Sequence, residues 1–458
     1  MNKCFYCCFA ILILFSASLW SNEKKNRIIV CENGLEMFQW DLDFIRSAEQ
    51  SVEILACFFG GKTAQTILEV IEVRLSEVPD LQVYILASPL LLRQEDYERI
   101  TYLQKKFPHN FHLEFSTQVA RLMPEILSID NHVKLCVVDE TYFSAGGTNF
   151  EERHCVEGTF KPAKKKKNQS EIDTMLPTAM RDQDIVGRGP LAHTLRRTFF
   201  QLYAIWEHYH QSQILETDPA KVRHRERYFT VSAAPYVDSF ETSSRVRELS
   251  ECQIKCILGG PHQKNNAITK EYLDLIRTAK EEILLEHLYC LPIDPLLEAL
   301  MEAVKRGVKL TLITNGLNKD SSNGAHFFIW GNRISYVPLF YGNSFHFWES
   351  SAAARQPTKN TEIFEYDVDD VWLHKKMMLI DRKILVIGSY NLSIKSAYGD
   401  YEIILVIHSE EVAQDALTVH EKDVQNSRRI SPEMARSWYF DPIISCIGFM
   451  QKKFSGLL

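Results

Sequence analysis

The chain has 458 residues, of which 45% are hydrophobic and 24% are charged. This composition excludes a disordered or low-complexity protein, and the length allows two domains with well-buried cores. The formal net charge of -7 argues against a protein whose main role is to wrap nucleic acid, because that binding depends on an excess of Lys and Arg over acidic residues.

The N-terminus has the layout of a secretory signal peptide. Residues 1–22 combine one Lys, an apolar run that ends near Leu19, and small residues at positions 16–18. An uncleaved N-terminal anchor is the alternative, although the run is slightly short for a comfortable membrane span. Both interpretations predict an exported protein that is secreted, periplasmic or tethered to a membrane. No later stretch is long and apolar enough to cross a bilayer.

Cysteine spacing gives no sign of a metal site. Three of the eleven cysteines fall in the leader, and the remaining eight permit disulfides without proving any. Cys252 and Cys256 form the one close pair after the leader, and they lack companion ligands at zinc-site spacing. The sequence therefore predicts that the protein binds no metal.

Two segments 231 residues apart repeat the same order of elements. A helix that ends near an Ala leads into a buried strand, and a second helix and a second strand follow. The paired segments are 45–59 and 276–289 for the first helix and strand, 63–76 and 294–306 for the second helix, and 82–87 and 308–314 for the second strand. Helices of this length between apolar strands are typical of βαβ units. The pattern predicts an α/β fold with two tandem duplicated domains, each a mostly parallel mixed sheet flanked by helices.

The boundaries of these parts follow from composition. We predict a leader at residues 1–22, a first domain at 23–215, a polar linker at 216–251 and a second domain at 252–458.

Both copies carry the same polar residues at the same spacing. Each has a His, a Lys two residues later, an Asp seven residues after the His, and a Gly-rich turn that ends in an Asn seventeen residues after the His. The residues are His132, Lys134, Asp139, Gly147 and Asn149 in the first copy, and His374, Lys376, Asp381, Ser389 and Asn391 in the second. Finding the pattern twice, at matching places in two repeats, excludes coincidence.

This set of residues suits phosphodiester transfer without a cofactor. Because side chains alternate along a strand, the His and Lys of each copy point to one face. Two half-sites together offer two imidazoles, two ammonium groups and two amides to one anionic group. One neutral His can attack phosphorus and form a phosphohistidine, while the other protonates the leaving alcohol and then deprotonates the incoming water or alcohol.

The Asp of each motif is expected to act elsewhere. Seven residues along an extended strand span about 20 Å, so Asp139 and Asp381 lie too far from their histidines for direct catalysis. We expect them to hold turns or salt bridges behind the site.

The motifs resemble the HxKxxxxD and GSxN or GGxN motifs of the phospholipase D superfamily, and the resemblance covers nearly the whole chain after the leader. It implies two phospholipase D-like domains packed pseudo-symmetrically around one active site, in a monomer that contains both half-sites.

In this family an acidic residue after each motif orients the catalytic His. The segment from Asn391 to Glu402 resembles the family's NLxxRSxxxNxE tail, which implies that Glu402 orients His374. The segment from 180 to 190 resembles the RDxxxxxxGP continuation of cardiolipin synthases. It implies that Asp182, with Asp184 as second choice, orients His132. By the same analogy, His132 is the expected nucleophile.

Three activities share this chemistry. The first expectation is a phospholipase D that hydrolyses a glycerophospholipid to phosphatidic acid at a membrane surface. A phosphatidyltransferase similar to cardiolipin synthase is the alternative, placed second because those enzymes commonly begin with two membrane spans. An exported nuclease comes third, and nucleic acid is not the expected partner. A catalytically silent lipid-binding protein is a fourth hypothesis, which the intact His, Lys and Asn in both copies disfavour.

Two further segments stand out by composition. The residues between Asn149 and Asp182 include the run Lys164–Lys167 and are expected to form a loop near the site entrance. The connection 318–371 is rich in aromatic residues, which favours subdomain packing, with an apolar lip for acyl chains as the alternative. These aromatic residues are Phe327, Phe328, Trp330, Tyr336, Phe340, Tyr341, Phe345, Phe347 and Trp348.

Overall fold

The structure is a computed structural model that describes residues 25–117, 119–123, 126–159, 179–222, 249–263, 266–316, 329–345 and 356–457. The predicted leader 1–22, the lysine run 164–167 and most of the predicted linker lie outside these residues. Within the described ranges, no helix is both long and apolar enough to cross a bilayer.

A mixed sheet of fifteen strands runs through both halves of the described chain. In chain order, all strands are β1 (Asn26–Val30), β2 (Ser51–Ala56), β3 (Phe59–Gly60), β4 (Gln82–Ala87), β5 (Phe111–Phe115), β6 (Val119–Met123), β7 (Ile126–Ile129), β8 (Leu135–Val138), β9 (Tyr142–Gly146), β10 (Phe150–Glu151), β11 (Ala179–Arg181), β12 (Asp184–Arg188), β13 (Ser250–Gly259), β14 (Glu282–His287), β15 (Lys309–Asn315), β16 (Thr361–Tyr366), β17 (Val371–Leu373), β18 (Lys376–Ile380), β19 (Ile384–Gly388), β20 (Glu402–His408) and β21 (Ser427–Ile430). The order across the large sheet is β21-β16-β15-β14-β18-β19-β20-β13-β1-β12-β9-β8-β2-β4-β5.

The sheet order shows the duplication directly. Outward from the central β1–β13 pair, one side reads β1-β12-β9-β8-β2-β4-β5 and the other reads β13-β20-β19-β18-β14-β15-β16. Corresponding strands occupy corresponding places, with β21 added at one edge. The antiparallel β1–β13 pair, in which Asn26 lies opposite Cys252, joins the two halves into one sheet. The predicted α/β fold with duplicated halves is confirmed, whereas the exact domain boundaries stay a prediction.

The sheet is mixed, as predicted, but has fewer parallel pairs than predicted. Only the outer strands β2-β4-β5 and β14-β15-β16 pair in parallel. The strands after the motif histidines form the antiparallel hairpins β8–β9 and β18–β19. Strands joined by a tight turn must pair antiparallel, whereas strands joined through a helix can pair in parallel. The hairpins lie nearer the centre of the sheet, so its parallel pairs lie toward the edges.

The two motif Asp residues build these hairpin turns. Asp139 and Glu140 have φ of 52° and 51°, and Asp381 and Arg382 have φ of 50° and 53°, as in the left-handed turns that match strand twist. Each Asp carboxylate also accepts backbone N–H groups at the start of a neighbouring strand. The Asp139 donors are Glu49, Gln50 and Ser51, at 2.7–2.8 Å, and the Asp381 donors are Lys280, Glu281 and Glu282. Both residues therefore have the turn-holding role predicted for them.

Helices cover both faces of the sheet. They are α1 (Gly34–Ser47), α2 (Gly61–Glu77), α3 (Gln94–Lys106), α4 (Leu191–Ser212), α5 (Ala267–Thr278), α6 (Asp294–Lys305), α7 (Ile329–Ile334), α8 (Tyr336–Tyr341), α9 (Ile394–Tyr398), α10 (Glu410–Gln425), α11 (Pro432–Tyr439) and α12 (Pro442–Lys453). Helices α1 and α2 contribute to a core in the first half, and α5, α6 and α8 contribute to a core in the second. A third core contains α4 and α10 and is shared by both halves.

The described part of the aromatic segment, 329–345, is largely packing, as favoured from the sequence. Its members Tyr336, Phe340, Tyr341 and Phe345 are buried in the core of the second half. Phe327, Phe328, Phe347 and Trp348 lie outside the described residues.

A buried network of charges fastens the halves together. Arg181 of the first half donates from Nε to Asp423 on α10 at 2.9 Å, and both side chains are fully buried. Lys375 also contacts Asp423 and lies 2.9 Å from Glu286. His420 contacts the same Glu286 carboxylate at 2.5 Å. Because a buried charge is costly without its partner, these contacts fix the segment that carries Arg181 against the second half.

Replacing Asp423 with Ala should strongly destabilise the protein, because it leaves Arg181 buried without its carboxylate. We expect a loss of about 3–5 kcal/mol in the free energy of unfolding, measured by urea denaturation. The control is Asp43→Ala, which removes an exposed ion pair with Arg46 and should cost less than about 1 kcal/mol. Equal losses in the two variants would contradict a structural role for the network.

Candidate active site

His132 lies three residues before β8 and His374 lies two residues before β18, and each is held by the other half of the chain. The backbone N–H of His132 donates to the carbonyl of Tyr401 at 3.0 Å, and that of His374 donates to the carbonyl of Arg181 at 2.8 Å. A β-bridge pairs Asn131 with Tyr401, and the parallel pair β11–β17 places Arg181 opposite Leu373. Tyr401 directly precedes Glu402, and Arg181 directly precedes Asp182. The backbone therefore places each His beside a carboxylate residue of the opposite half.

The carboxylate partners are exchanged relative to the sequence prediction. Nδ1 of His132 lies 3.0 Å from both carboxylate oxygens of Glu402, and Nδ1 of His374 lies 2.9 Å from Asp182. The predicted pairs of Glu402 with His374 and Asp182 with His132 are wrong, because β-pairing between the halves sets each acid beside the other half's His. Asp184, the second choice, instead accepts the backbone N–H of Thr148 at 3.0 Å.

Both histidines line one cavity of about 440 Å³. Since the Nδ1 atoms are bound to carboxylates, the Nε2 atoms are left to meet a ligand there. The cavity walls are mixed in character: polar residues include Asp130, Asn131, Asn391, Lys395 and Asp400, and apolar residues include Phe58, Leu90, Met180, Leu288, Tyr289 and Trp372. This lining suits a ligand that has a charged centre and an apolar body.

The motif lysines are buried next to their own histidines. Nζ of Lys134 donates to the His132 carbonyl at 2.5 Å, and Nζ of Lys376 donates to the His374 carbonyl and lies 3.0 Å from its Nδ1. Burial lowers the pKa of Lys134, and it lowers the pKa of Lys376 to about 7. An anion between them would favour the charged form of both lysines.

The motif Asn residues differ in their contacts. Oδ1 of Asn149 accepts the backbone N–H of Phe58 at 3.0 Å, which fixes its amide. Asn391 lines the cavity, and within the part of the chain that the structure describes its Oδ1 has no hydrogen-bond partner. Buried polar atoms are nearly always paired, so Oδ1 is a candidate acceptor for a ligand hydroxyl, and the NH2 group of the same amide is the group that can donate to an anion.

The electrostatic environment favours neutral histidines and unequal carboxylates. Burial lowers the pKa of both His132 and His374. Burial raises the pKa of Glu402 to about 7, although Lys134 acts in the opposite direction. Burial also acts to raise the pKa of Asp182, but His374 and His154 outweigh it and hold this pKa well below its usual range. Asp182 is therefore the more fully ionised of the two partners.

His154 is a site residue that the sequence reasoning missed. Its Nδ1 lies 2.9 Å from Oδ2 of Asp182, and its ring packs edge-to-face on His374, with 4.6 Å between ring centroids. Its counterpart in the second half is Ser396, since each lies five residues after the motif Asn. Oγ of Ser396 donates to Glu402 at 2.6 Å. Comparing the two copies beyond the Asn shows a His at this position, but its contact with Asp182 depends on how the chain folds.

The Gly-rich turns of the two halves also differ in their contacts with the carboxylates. Oγ of Ser389 donates to Glu402, whereas its counterpart Gly147 has no side chain and a Cβ there would stand 2.6 Å from Oδ1 of Asp182. Glu402 thus receives two serine hydroxyls in addition to His132. Asp182 receives one additional histidine instead.

Three of these side chains also have ligand atoms close enough for a metal ion. His154, Asp182 and His374 present atoms within 4.8 Å of one another, and all three are buried. The hydrogen bonds from the two Nδ1 atoms to Asp182 account for this closeness. The absence of a metal remains a prediction.

Comparisons with known proteins agree with the motifs. A family model described as "Cardiolipin synthase, PLD-like domain" matches residues 272–424. Cardiolipin synthase A of Buchnera aphidicola is 26% identical over 178 residues, which cover 39% of this chain and 32% of the relative. Cardiolipin synthase A of Klebsiella pneumoniae is 26% identical over 196 residues, 43% of this chain and 35% of the relative. The chain thus spans about a third of the length of these relatives.

The fold extends the likeness over almost the whole chain. The crystal structure of phosphatidylserine synthase from Haemophilus influenzae has a TM-score of 0.61 and 13% identity, covering 94% of this chain and 97% of that one. Residues 272–424 therefore match a phospholipase D-like domain, and the fold as a whole is similar to that of phosphatidylserine synthase. Both copies of the motif keep their His, Lys and Asn, and both histidines reach one cavity.

His154 should control the order of His374. Replacing it with Ala removes one donor to Asp182 and the ring that packs on His374, so His374 should become more mobile. We expect the low-field N–H signal of His374 to broaden or disappear in proton NMR of histidine-labelled protein. His154→Asn keeps a donor near the Nδ1 position and should retain the signal. The same signal from His132 is the internal reference, and equal broadening of both would contradict a local role.

Proposed function

We propose that this protein is a phosphatidyl-transferring enzyme that moves the phosphatidyl group of a glycerophospholipid to an alcohol acceptor through a phosphohistidine. The observation that carries the proposal is that His132 and His374 line the same cavity, each with Nδ1 bound to a carboxylate. This arrangement leaves two Nε2 atoms to act on one phosphorus.

The reaction has two displacement steps. In the first, Nε2 of His132 attacks phosphorus, a P–N bond forms, and the P–O bond to the headgroup breaks as Nε2–H of His374 gives its proton to the leaving oxygen. In the second, His374 takes the proton of the acceptor hydroxyl, whose oxygen attacks phosphorus while the P–N bond breaks. Lys134, Lys376 and Asn391 stabilise the charge on the non-bridging oxygens in both steps.

The unequal carboxylates support this division of roles. Asp182, whose pKa is held well below its usual range, is the stronger partner for a cationic ring, and it is bound to His374. Glu402, whose pKa burial raises to about 7, is bound to His132. Burial lowers the pKa of both rings, which supports a neutral nucleophile at His132. Asp182 acts to raise the pKa of His374 against this burial, which supports His374 as the proton donor.

The proposal of an alcohol as the acceptor reverses the ranking of the two activities, hydrolysis and transfer, that was expected from the sequence. Hydrolysis to phosphatidic acid was the first expectation, and transfer was the alternative. The family model and the relatives named cardiolipin synthase A support transfer as the main proposal. Hydrolysis uses the same intermediate with water as acceptor and is the second candidate. The apolar residues of the cavity, such as Phe58, Leu90 and Trp372, favour a lipid over nucleic acid for both.

The test is to incubate the full chain with phosphatidylglycerol, with and without added glycerol or ethanol, and to identify products by mass spectrometry. Transfer predicts cardiolipin without added alcohol, and phosphatidylethanol when ethanol is present. Phosphatidic acid as the main product under all conditions would favour hydrolysis. Cleavage of single-stranded DNA without lipid turnover would overturn the proposal. His132→Ala and His374→Ala should each reduce turnover by at least ~100-fold.

The rate of turnover should fall on the acid side with a midpoint near pH 7. Protonation of Glu402, whose pKa is about 7, removes the anion that orients His132, so activity is lost as the pH falls through this value. Ser396→Ala removes a hydrogen bond that lowers this pKa, and the midpoint should rise by up to about one pH unit. The measurement is the pH dependence of kcat/KM. Ser437→Ala, at an exposed serine, is the control and should leave the midpoint unchanged.

A further inference from the structure

Helix α12 buries two polar side chains and exposes several large apolar ones, while Ile444 and Ile447 are half-buried. Ser445, Gly448 and Gln451 of this helix are buried, and so is Ser455 in the turn that follows. The large apolar residues of the same segment are exposed: Ile443 is 71% exposed, Phe449 40%, Met450 49% and Phe454 52%. We call these four residues the apolar face of α12.

Hydrogen bonds fix the helix in this orientation. Oγ of Ser445 donates to the carbonyl of Tyr439, and Oε1 of Gln451 accepts the backbone N–H of Gly331 at 2.7 Å. Gly448 lies against α7, where a Cβ would stand 2.5 Å from Ile334. Rotating the helix to bury its apolar residues would break these bonds and bring bulky side chains into that close contact. The exposure of the apolar face is therefore built into the packing of α12.

The apolar face is continuous along the helix. Ile443 and Met450 are seven residues apart, or about two turns, and so lie on one side. Phe449 and Phe454 extend the same surface, and the exposed Cys446 lies between them and Ile443. Contiguous exposed apolar surface of this kind marks a site of interaction with a protein or a membrane.

We propose that the apolar face of α12 docks into the surface of a phospholipid bilayer. The choice of a bilayer rests on the proposed function, which requires access to lipid. Lys452 and Lys453 lie between Met450 and Phe454; Lys452 pairs with Asp294 at 3.0 Å, and Lys453 is exposed. Lysines at the edge of an apolar surface extend their stems over it and place the ammonium group among anionic headgroups.

The size of the surface fits a bilayer better than a second copy of the chain. With about 200 Å² for each large side chain, the exposed fractions of the four residues amount to roughly 400 Å². Stable protein interfaces bury ~800 Å² on each partner. Shallow insertion into a bilayer needs no such area and uses apolar side chains beside basic ones.

The apolar face of α12 is linked to the cavity through a short series of contacts. Oγ of Ser455 accepts the backbone N–H of Ile394 at 3.3 Å. Ile394 directly precedes Lys395, which lines the cavity together with Asn391. A bilayer bound at α12 would thus meet a segment that is fastened to the wall of the substrate cavity.

Radical footprinting of the full chain tests the proposal residue by residue. The protein is labelled with and without vesicles of mixed phosphatidylcholine and phosphatidylglycerol, and oxidation is measured by mass spectrometry. We expect labelling of Phe449, Met450 and Phe454 to fall by about threefold or more with vesicles. Val73 and Ile214, which are 58% and 67% exposed elsewhere, should be unchanged. This local readout is independent of any membrane binding by the leader.

A charge variant refines the test. Lys453→Glu should require more phosphatidylglycerol for half-maximal protection of Met450, whereas the exposed control Lys105→Glu should not. Unchanged labelling of the apolar face with vesicles would overturn the docking proposal, and turnover of short-chain phospholipid dispersed as monomers would show that the proposed function still stands. Protection that needs no lipid and rises with protein concentration would also overturn it, in favour of a second copy of the chain.

Discussion

The candidate active site depends on one exchange: each half of the chain supplies the carboxylate that binds the histidine of the other half. Glu402 holds His132, and Asp182 holds His374. Neither half-site is complete alone, so the two domains must be packed together before either imidazole is oriented. The shared sheet and the buried pair of Arg181 and Asp423 stabilise that packing. Covalent linkage of both halves in one chain makes the exchange intramolecular.

The backbone arrangement of this exchange is the same in both halves, but the side chains around the two carboxylates differ. Around Glu402 stand two serine hydroxyls, from Ser389 and Ser396. At the matching places around Asp182 stand Gly147, which has no side chain, and His154. Burial acts against the charge on both carboxylates, but only Asp182 has two histidines to counter it. A duplicated fold can therefore give one histidine a strongly ionised partner and the other a weaker one, which a transfer with distinct nucleophile and acid requires.

Local patterns in the sequence predicted what is local in the structure. The spacing of His132 and His374 to their neighbours predicted two half-sites, whose histidines line one cavity, and the distance of Asp139 from His132 indicated the turn that Asp139 forms. The carboxylate pairing could not be read in this way, because it follows from β-pairing between Arg181 and Leu373, which are far apart in the chain. The same holds for His154, whose contact with Asp182 follows from how its loop packs within the fold. Patterns that span a few residues carry no information about such long-range register.

The two halves also differ in the buried residues next to the histidines. Lys375, next to His374, is buried against Glu286 and Asp423. The corresponding residues in the first half are Val133 and Leu55, which are buried in the shared apolar core. A charged network polarises its surroundings and is costly to rearrange, whereas an apolar layer holds position by packing alone. The segment that carries His374 is thus anchored by a fixed set of buried charges, whereas the segment that carries His132 is anchored by apolar packing.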